Sequence, residues 1–244
     1  MRRIILCEGE TDATLIGLYL EKICGWTYTN SRNKIINIPK KLPSENKLAN
    51  HYFKGNDSLV ICSVGGKDNF GGFFEKHIYQ MIKRSNREEL FYRIALITDA
   101  DDRTIEEIEA AISEQLSLCI QSVSNNTWMA NTYQADFGDN ISIDFLLSVI
   151  PREGAGALET VLLDALSESS EGKLIVDSSI TFIDKMPYYS YISTDRLKLK
   201  AKLGVALSVI YPDKVFSQFD EQLQIVDWSQ SDTLSKCLSE VIKI

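Results

Sequence analysis

Along the first half of the chain, hydrophobic positions follow two alternating periods. Residues 4–7, 59–64 and 92–98 form short, almost wholly apolar runs, the pattern of strands covered on both faces. Between them, apolar residues return every three or four positions, as on one face of a helix. Ala13, Ile16, Leu20 and Ile23 mark a helix over 12–24, with Thr11 as its N-cap and Gly25 as its end. Phe70, Phe73, Phe74, Ile78, Met81 and Ile82 mark a second over 70–84. A third over 104–118 opens with the capping box Thr104/Glu107 and carries Ile105, Ile108, Ile112 and Leu116. This β-α-β-α-β-α order predicts an α/β fold, a parallel sheet flanked by helices and joined by right-handed crossovers. In such sheets ligands bind beyond the carboxyl ends of the strands.

Elsewhere the pattern is weaker. Residues 34–38 read as a short strand, and 39–56 as a polar, loop-like excursion at the mouth of the pocket. In the second half, strands are expected at 118–123 and 141–147, and helices at 156–166 and 195–210. A closing strand-helix unit is expected at 222–226 and 232–242. The alternation turns mainly helical near Pro151. Residues 1–150 are therefore expected to form the α/β core, and 151–244 an α-rich C-terminal extension packed on it.

Composition narrows the chemistry. The chain has 244 residues, 44% of them hydrophobic, which suffices for a sizeable core. No apolar stretch is long enough to span a bilayer, and Glu8 and Glu10 interrupt the apolar start that a signal peptide would need. The five cysteines are odd in number and scattered, as buried thiols in a reducing cytoplasm are. A net charge of −8 argues against a broad basic nucleic-acid surface, although a metal and a local basic strip can reverse the sign of one pocket. His51 and His77 lack partners at zinc-ligand spacing, and no Ser-His-Asp signature stands out. Carboxylates, lysines and a metal remain as the chemical resources.

The carboxylates fall at two strand ends. Asp99-Ala100-Asp101-Asp102 follows the run ending at Thr98, and Glu8-Gly9-Glu10-Thr11-Asp12 follows the run ending at Cys7. Each cluster alone reads equally well as acids at a helix N-terminus, where the dipole favours negative charge. Two such clusters converging in an already acidic chain would repel unless a hard cation stood between them. A haloacid-dehalogenase phosphatase is excluded, because Thr104 comes one position too late after Asp101 and the motif is far from the first strand.

Glu8-Gly9-x-x-Asp12 after a first strand, with Asp99-Ala100-Asp101 after a later one, resembles the Toprim domain over roughly residues 1–125. That domain is shared by topoisomerases, DnaG-type primases, RecR-like proteins and the OLD (overcoming lysogenization defect) nucleases. The form with Asp12 is most similar to the OLD nucleases and their small stand-alone relatives. The resemblance implies a Toprim/Rossmann-like sheet, one or two Mg²⁺ or Mn²⁺ ions held by Glu8, Asp99 and Asp101 with Asp12, and acid–base work for Glu8.

Two further features stand out by helical phase. Glu159 lies within the apolar arc of Leu158, Leu162, Leu163 and Leu166, an expensive place for a carboxylate unless it is paired or metal-bound; as a first-turn acid it also suits the helix dipole. The resemblance makes it a ligand for a second ion. Lys202 falls inside the apolar arc of helix 195–210 and Lys200 at its edge, where a lysine stem can also simply snorkel. By resemblance one of them, Lys202 first, offsets phosphate charge. Gly65-Gly66-Lys67-Asp68-Asn69 is either an ordinary glycine turn or a phosphate-binding loop, but not a Walker A loop. Tyr188, Tyr189 and Tyr191 serve either base stacking or packing.

The resulting expectation is metal-dependent phosphodiester hydrolysis with DNA as substrate. OLD nucleases carry an ATPase domain, and this chain has no Walker loop, so it would act alone or beside a separate ATPase. A homo-oligomer is compatible with the sequence. Phosphotransfer or hydrolysis on a nucleotide or small phosphate ester, and a non-catalytic Toprim interaction module, are the alternatives.

Overall fold

The computed structural model describes residues 1–30, 36, 49–84, 90–136, 138–187, 190–214 and 219–244. Its elements run β1 (Arg2–Cys7), α1 (Glu10–Cys24), β2 (Thr27–Thr29), β3 (Ala49–Lys54) and β4 (Asp57–Ser63). A helical run follows, through a 3₁₀ turn at Lys67–Asn69, α2 (Phe70–Phe74), a π-helical turn at Glu75–Tyr79 and α3 (Gln80–Arg84). Then come β5 (Phe91–Asp99), α4 (Ile105–Gln115), β6 (Met129–Gln134), β7 (Asn140–Ile150), α5 (Leu158–Leu166), α6 (Ser170–Asp184), α7 (Asp195–Ile210), α8 (Phe219–Ile225) and α9 (Asp232–Cys237).

The fold is α/β. Seven strands form one sheet in the order β2-β3-β4-β1-β5-β7-β6. The expected parallel arrangement holds at the centre, where β1 pairs in parallel with both β4 and β5. The margins differ, because β2–β3, β3–β4 and β6–β7 are antiparallel pairs. Central strands are buried on both faces, which explains their unbroken apolar runs. Ile4 and Leu6 of β1 face one core with Val60, Phe70, Phe74, Ile94, Ile108 and Phe145. The alternate residues Ile5 and Cys7 are equally buried, and α1 packs against β1 and β4.

The chain divides into two compact units, Met1–Val149 with Leu238–Ile244, and Ile150–Cys237. In the second unit α6 packs against α7, and α5 against α7 and α9.

Several expectations give way. Gly9, not Thr11, is the N-cap of α1, with Asp12 bonding back to its N–H. Residues 49–54 form strand β3 rather than loop, completing a hairpin with β4. The strand expected at 34–38 and the loop at 39–48 lie outside the described residues, apart from a buried Ile36. Residues 118–123 are irregular, and the ladder forms instead at β6, where only Asn131 and Tyr133 are buried. Residues 222–226 begin in helix α8, because Leu223 is buried while Ile225 is exposed, against the alternation a strand would need. The Trp228 indole N–H closes that helix on the Leu223 carbonyl at 2.7 Å. The helix expected at 232–242 stops at Cys237.

Candidate active site

Three neighbouring strand ends are fastened together where the acids lie. Val64 N–H donates to the Cys7 carbonyl at 2.8 Å, and Gly65 and Gly66 N–H both donate to the Glu8 carbonyl at 3.0 Å. Gly65 and Gly66 have φ of 85° and 117°, which glycine adopts without steric cost. Three N–H groups that a phosphate cradle would use are thus engaged inside the protein, those of Gly65 and Gly66 on Glu8 and that of Asn69 on the Gly66 carbonyl, which favours the ordinary glycine turn.

On the other side of β1, the Glu8 side chain reaches β5. Its Oε1 accepts from the Thr98 hydroxyl at 2.6 Å and from Asp99 N–H at 2.9 Å. Glu8 is 6% exposed, Asp99 3% and Thr98 2%. A buried carboxylate requires such donors in place of water. The parallel pairing of Cys7 with Ile97 sets this register, one residue short of both Glu8 and Thr98.

Asp12 Oδ2 accepts from Gly9 N–H at 2.7 Å, so it serves the helix terminus in the way acids commonly do. Asp101 stands in the left-handed region at φ 52° and pairs through Oδ2 with Lys67 Nζ at 2.8 Å. Burial pushes the Cys7 thiol well above the ordinary cysteine range, and Asp12, Cys62, Glu8 and Asp99 push it further the same way. The same thiol thus feels carboxylates from both strand ends.

Among the described residues, no three His, Cys, Asp or Glu side chains are gathered closely enough to hold a metal ion as they stand. Glu8 Oε1 binds the end of β5, Asp12 Oδ2 the start of α1, and Asp101 Oδ2 the Lys67 ammonium group.

Glu159, Lys200 and Lys202 belong to the second unit. Glu159 is 4% exposed, and its Oε1 forms an ion pair with Lys200 Nζ. Its Oε2 is buried without a hydrogen-bond partner among the described residues. The pairing explains how an acid sits on the apolar arc of α5. Lys202, the lysine favoured on phase, is tied instead to Asp184 at the end of α6, at 2.8 Å. Lys200 is the one that meets Glu159. Tyr188 and Tyr189 lie outside the described residues, and Tyr191 is exposed.

In the sequence Lys67 stands out only as part of the glycine loop, and Thr98 only as the end of an apolar run. Lys67 carries a signal in retrospect, a cation directly after a glycine pair at a strand end. Thr98 carries none beyond its place before Asp99.

Among the described residues no helix is long and apolar enough to cross a membrane. No protein-family model and no curated protein matches the chain. Among solved structures, it is similar to the crystal structure of a hypothetical protein from Pyrococcus horikoshii OT3, with 16% identity and a TM-score of 0.44 over 98% of this chain and 99% of that one.

Proposed function

We propose that the chain hydrolyses phosphodiester bonds with Mg²⁺ or Mn²⁺, with DNA as the first substrate to test. The observation that carries this reading is the Glu8 carboxylate, anchored from the end of β1 onto the end of β5 beside buried Asp99. Two carboxylates from adjacent parallel strands meet in a buried corner at the carboxyl ends of the strands, where α/β folds bind ligands.

The donor set fits the proposed ion by its chemistry. Glu8, Asp99, Asp101 and Asp12 offer only carboxylate oxygens, the ligands that hard divalent cations take. Asp101 already holds a cation, the Lys67 ammonium group. Glu8, Asp99 and Asp101 would be the principal ligands, with Asp12 beside them. When bound, such an ion supplies Lewis-acid polarisation of a phosphoryl oxygen and lowers the pKa of a water nucleophile. The protein's own part is orientation. Thr98 and Asp99 N–H hold one oxygen of Glu8, and the Gly65-Gly66 buckle holds the backbone beneath it.

The net charge of −8 favours a second reading, hydrolysis of a nucleotide or another small phosphate ester, because a long polyanion would meet an acidic surface. Supercoiled plasmid and a panel of nucleotides, incubated with Mn²⁺ and one pure sample, separate the two. In either case Asp99→Asn combined with Asp101→Asn is expected to lower the Mn²⁺-dependent rate at least ~100-fold, the upper end of what loss of even an indirect metal partner costs. An unchanged rate in that double variant defeats the proposal.

A further inference from the structure

The loop after β4 is held by its backbone, and this leaves its first side chain available for another task. Gly65 and Gly66 are fixed on the Glu8 carbonyl, and from that anchor Lys67 extends across the end of β1 to reach Asp101 beyond β5, with Nζ 2.8 Å from Oδ2. Asp101 occupies a left-handed backbone conformation, φ 52°, which is strained for a residue other than glycine and concentrates at functional positions. The ion pair is partly open to solvent, with side chains 35% and 22% exposed. A pair of that kind adds little to stability, so holding the fold together is a poor account of it.

We propose that Lys67 is a built-in counter-ion of the acid site: its ammonium group occupies the cation's place at Asp101 in the ion-free protein, and a divalent ion binds by displacing it. This rests on the reading of Glu8, Asp99 and Asp101 as ion ligands and adds what regulates them. A lysine suits the task, being a compact charge on a flexible stem. It can withdraw without disturbing a loop that Gly65 and Gly66 hold. While it stays, it offsets repulsion among acids drawn from two strand ends. A phosphate group that engages the ammonium releases Asp101, so anion and cation binding reinforce one another through this side chain.

Calorimetric Mn²⁺ titrations of the full chain at low ionic strength test the idea. Lys67→Gln removes a unit positive charge next to the ion and is expected to tighten Mn²⁺ binding on the order of 30-fold, the effect of one unit charge on a divalent ion about 4 Å away in a largely aqueous setting. Lys67→Arg keeps the charge and is expected to bind Mn²⁺ close to wild type. Local damage to the loop would weaken binding, so tightening separates competition from a structural role. Mn²⁺ binding by Lys67→Gln that equals or falls below an intact wild-type affinity overturns the inference and leaves the acids as ligands. A wild-type chain that takes up no Mn²⁺, with hydrolysis indifferent to Asp99→Asn and Asp101→Asn, overturns the functional reading and this inference together.

Discussion

Burying the Glu8 carboxyl group costs free energy unless hydrogen bonds replace the water it gives up, and the Thr98 hydroxyl supplies one of those bonds at 2.6 Å. Valine has nearly the shape of threonine but no donor. Thr98→Val therefore leaves one oxygen of a buried carboxylate short of a partner, an omission that costs about 1–3 kcal/mol. Urea denaturation of the variant is expected to show an unfolding free energy lowered by that amount and a correspondingly lower midpoint, with Thr98→Ser losing less because its hydroxyl remains. Equal midpoints for wild type and Thr98→Val would show that the bond contributes nothing to holding β1 and β5 together. Lys67 teaches a different lesson at the same scale. Its partner Asp101 is 34 residues away, and only the order β4-β1-β5 brings the two loops side by side. The acids were legible because an apolar run ending in a carboxylate is a local pattern. The cation that meets Asp101 is set by strand order, which no local window contains.

Elements were legible where side-chain chemistry and period agreed. Thr104 and Glu107 form the expected capping box, with Thr104 N–H donating to Glu107 at 2.9 Å, and α7 begins and ends where its pattern does. α6 went unrecognised although its signals are present. Ser169 caps it, accepting from Gly172 N–H at 2.9 Å, and Gly172, Val176, Ser179 and Ile183 form its buried stripe. Two of those four residues are small or polar, so the stripe carries little hydrophobic contrast. The short α9 has a start signal that cannot be read from its own sequence. Glu168, more than sixty residues before it, accepts from Asp232 N–H at 3.2 Å, Thr233 N–H at 2.7 Å and the Ser231 hydroxyl at 2.8 Å. Burial alone would raise the Glu168 carboxyl pKa, but the hydrogen bonds from Thr233, Ser231 and Asp232 outweigh it and hold the group below the usual carboxylate range. A group depressed in the folded state adds stability above its unfolded pKa and loses it as pH falls through the folded value. Glu168→Gln is expected to cost about 1 kcal/mol at neutral pH, the worth of a helix cap, and no more, because the carboxylate is solvent-exposed and screened. Its stability should also decline less than that of wild type between neutral pH and the acid side of the carboxylate range. Denaturant midpoints taken across that range check both points, and parallel pH profiles for the two proteins would count against the capping role.

At the scale of the whole molecule, the first unit is built from two distant pieces of chain, Met1–Val149 and Leu238–Ile244. No local pattern in the second piece announces this, since Leu238, Val241 and Ile244 read simply as the apolar side of a helix continuing from 232. Their burial, with Leu238 and Val241 almost wholly inaccessible, shows where they belong. Polar contacts fix them in register. The Trp128 indole N–H donates to the Glu240 carbonyl at 3.2 Å, and the Arg93 guanidinium donates to the Lys243 carbonyl. Arg93 also lies over the Trp128 ring, 5.1 Å from its centroid, and approaches Asp144 of β7 at 3.7 Å. One arginine thus links β5, β7 and the returning segment. Each fully buried Leu or Val contributes about 1.5–3 kcal/mol, so a chain lacking residues 238–244 is expected to lose at least ~3 kcal/mol from the stability of the first unit. Trp26 and Trp128 lie in that unit and Trp228 in the other. On a Trp228→Phe background, tryptophan fluorescence therefore follows the first unit alone through a urea titration. A midpoint unchanged by the deletion would mean that residues 238–244 lie on the first unit without supporting it; a lowered one would make the segment part of the scaffold that holds the ends of β1 and β5, and with them Glu8 and Asp99, in register.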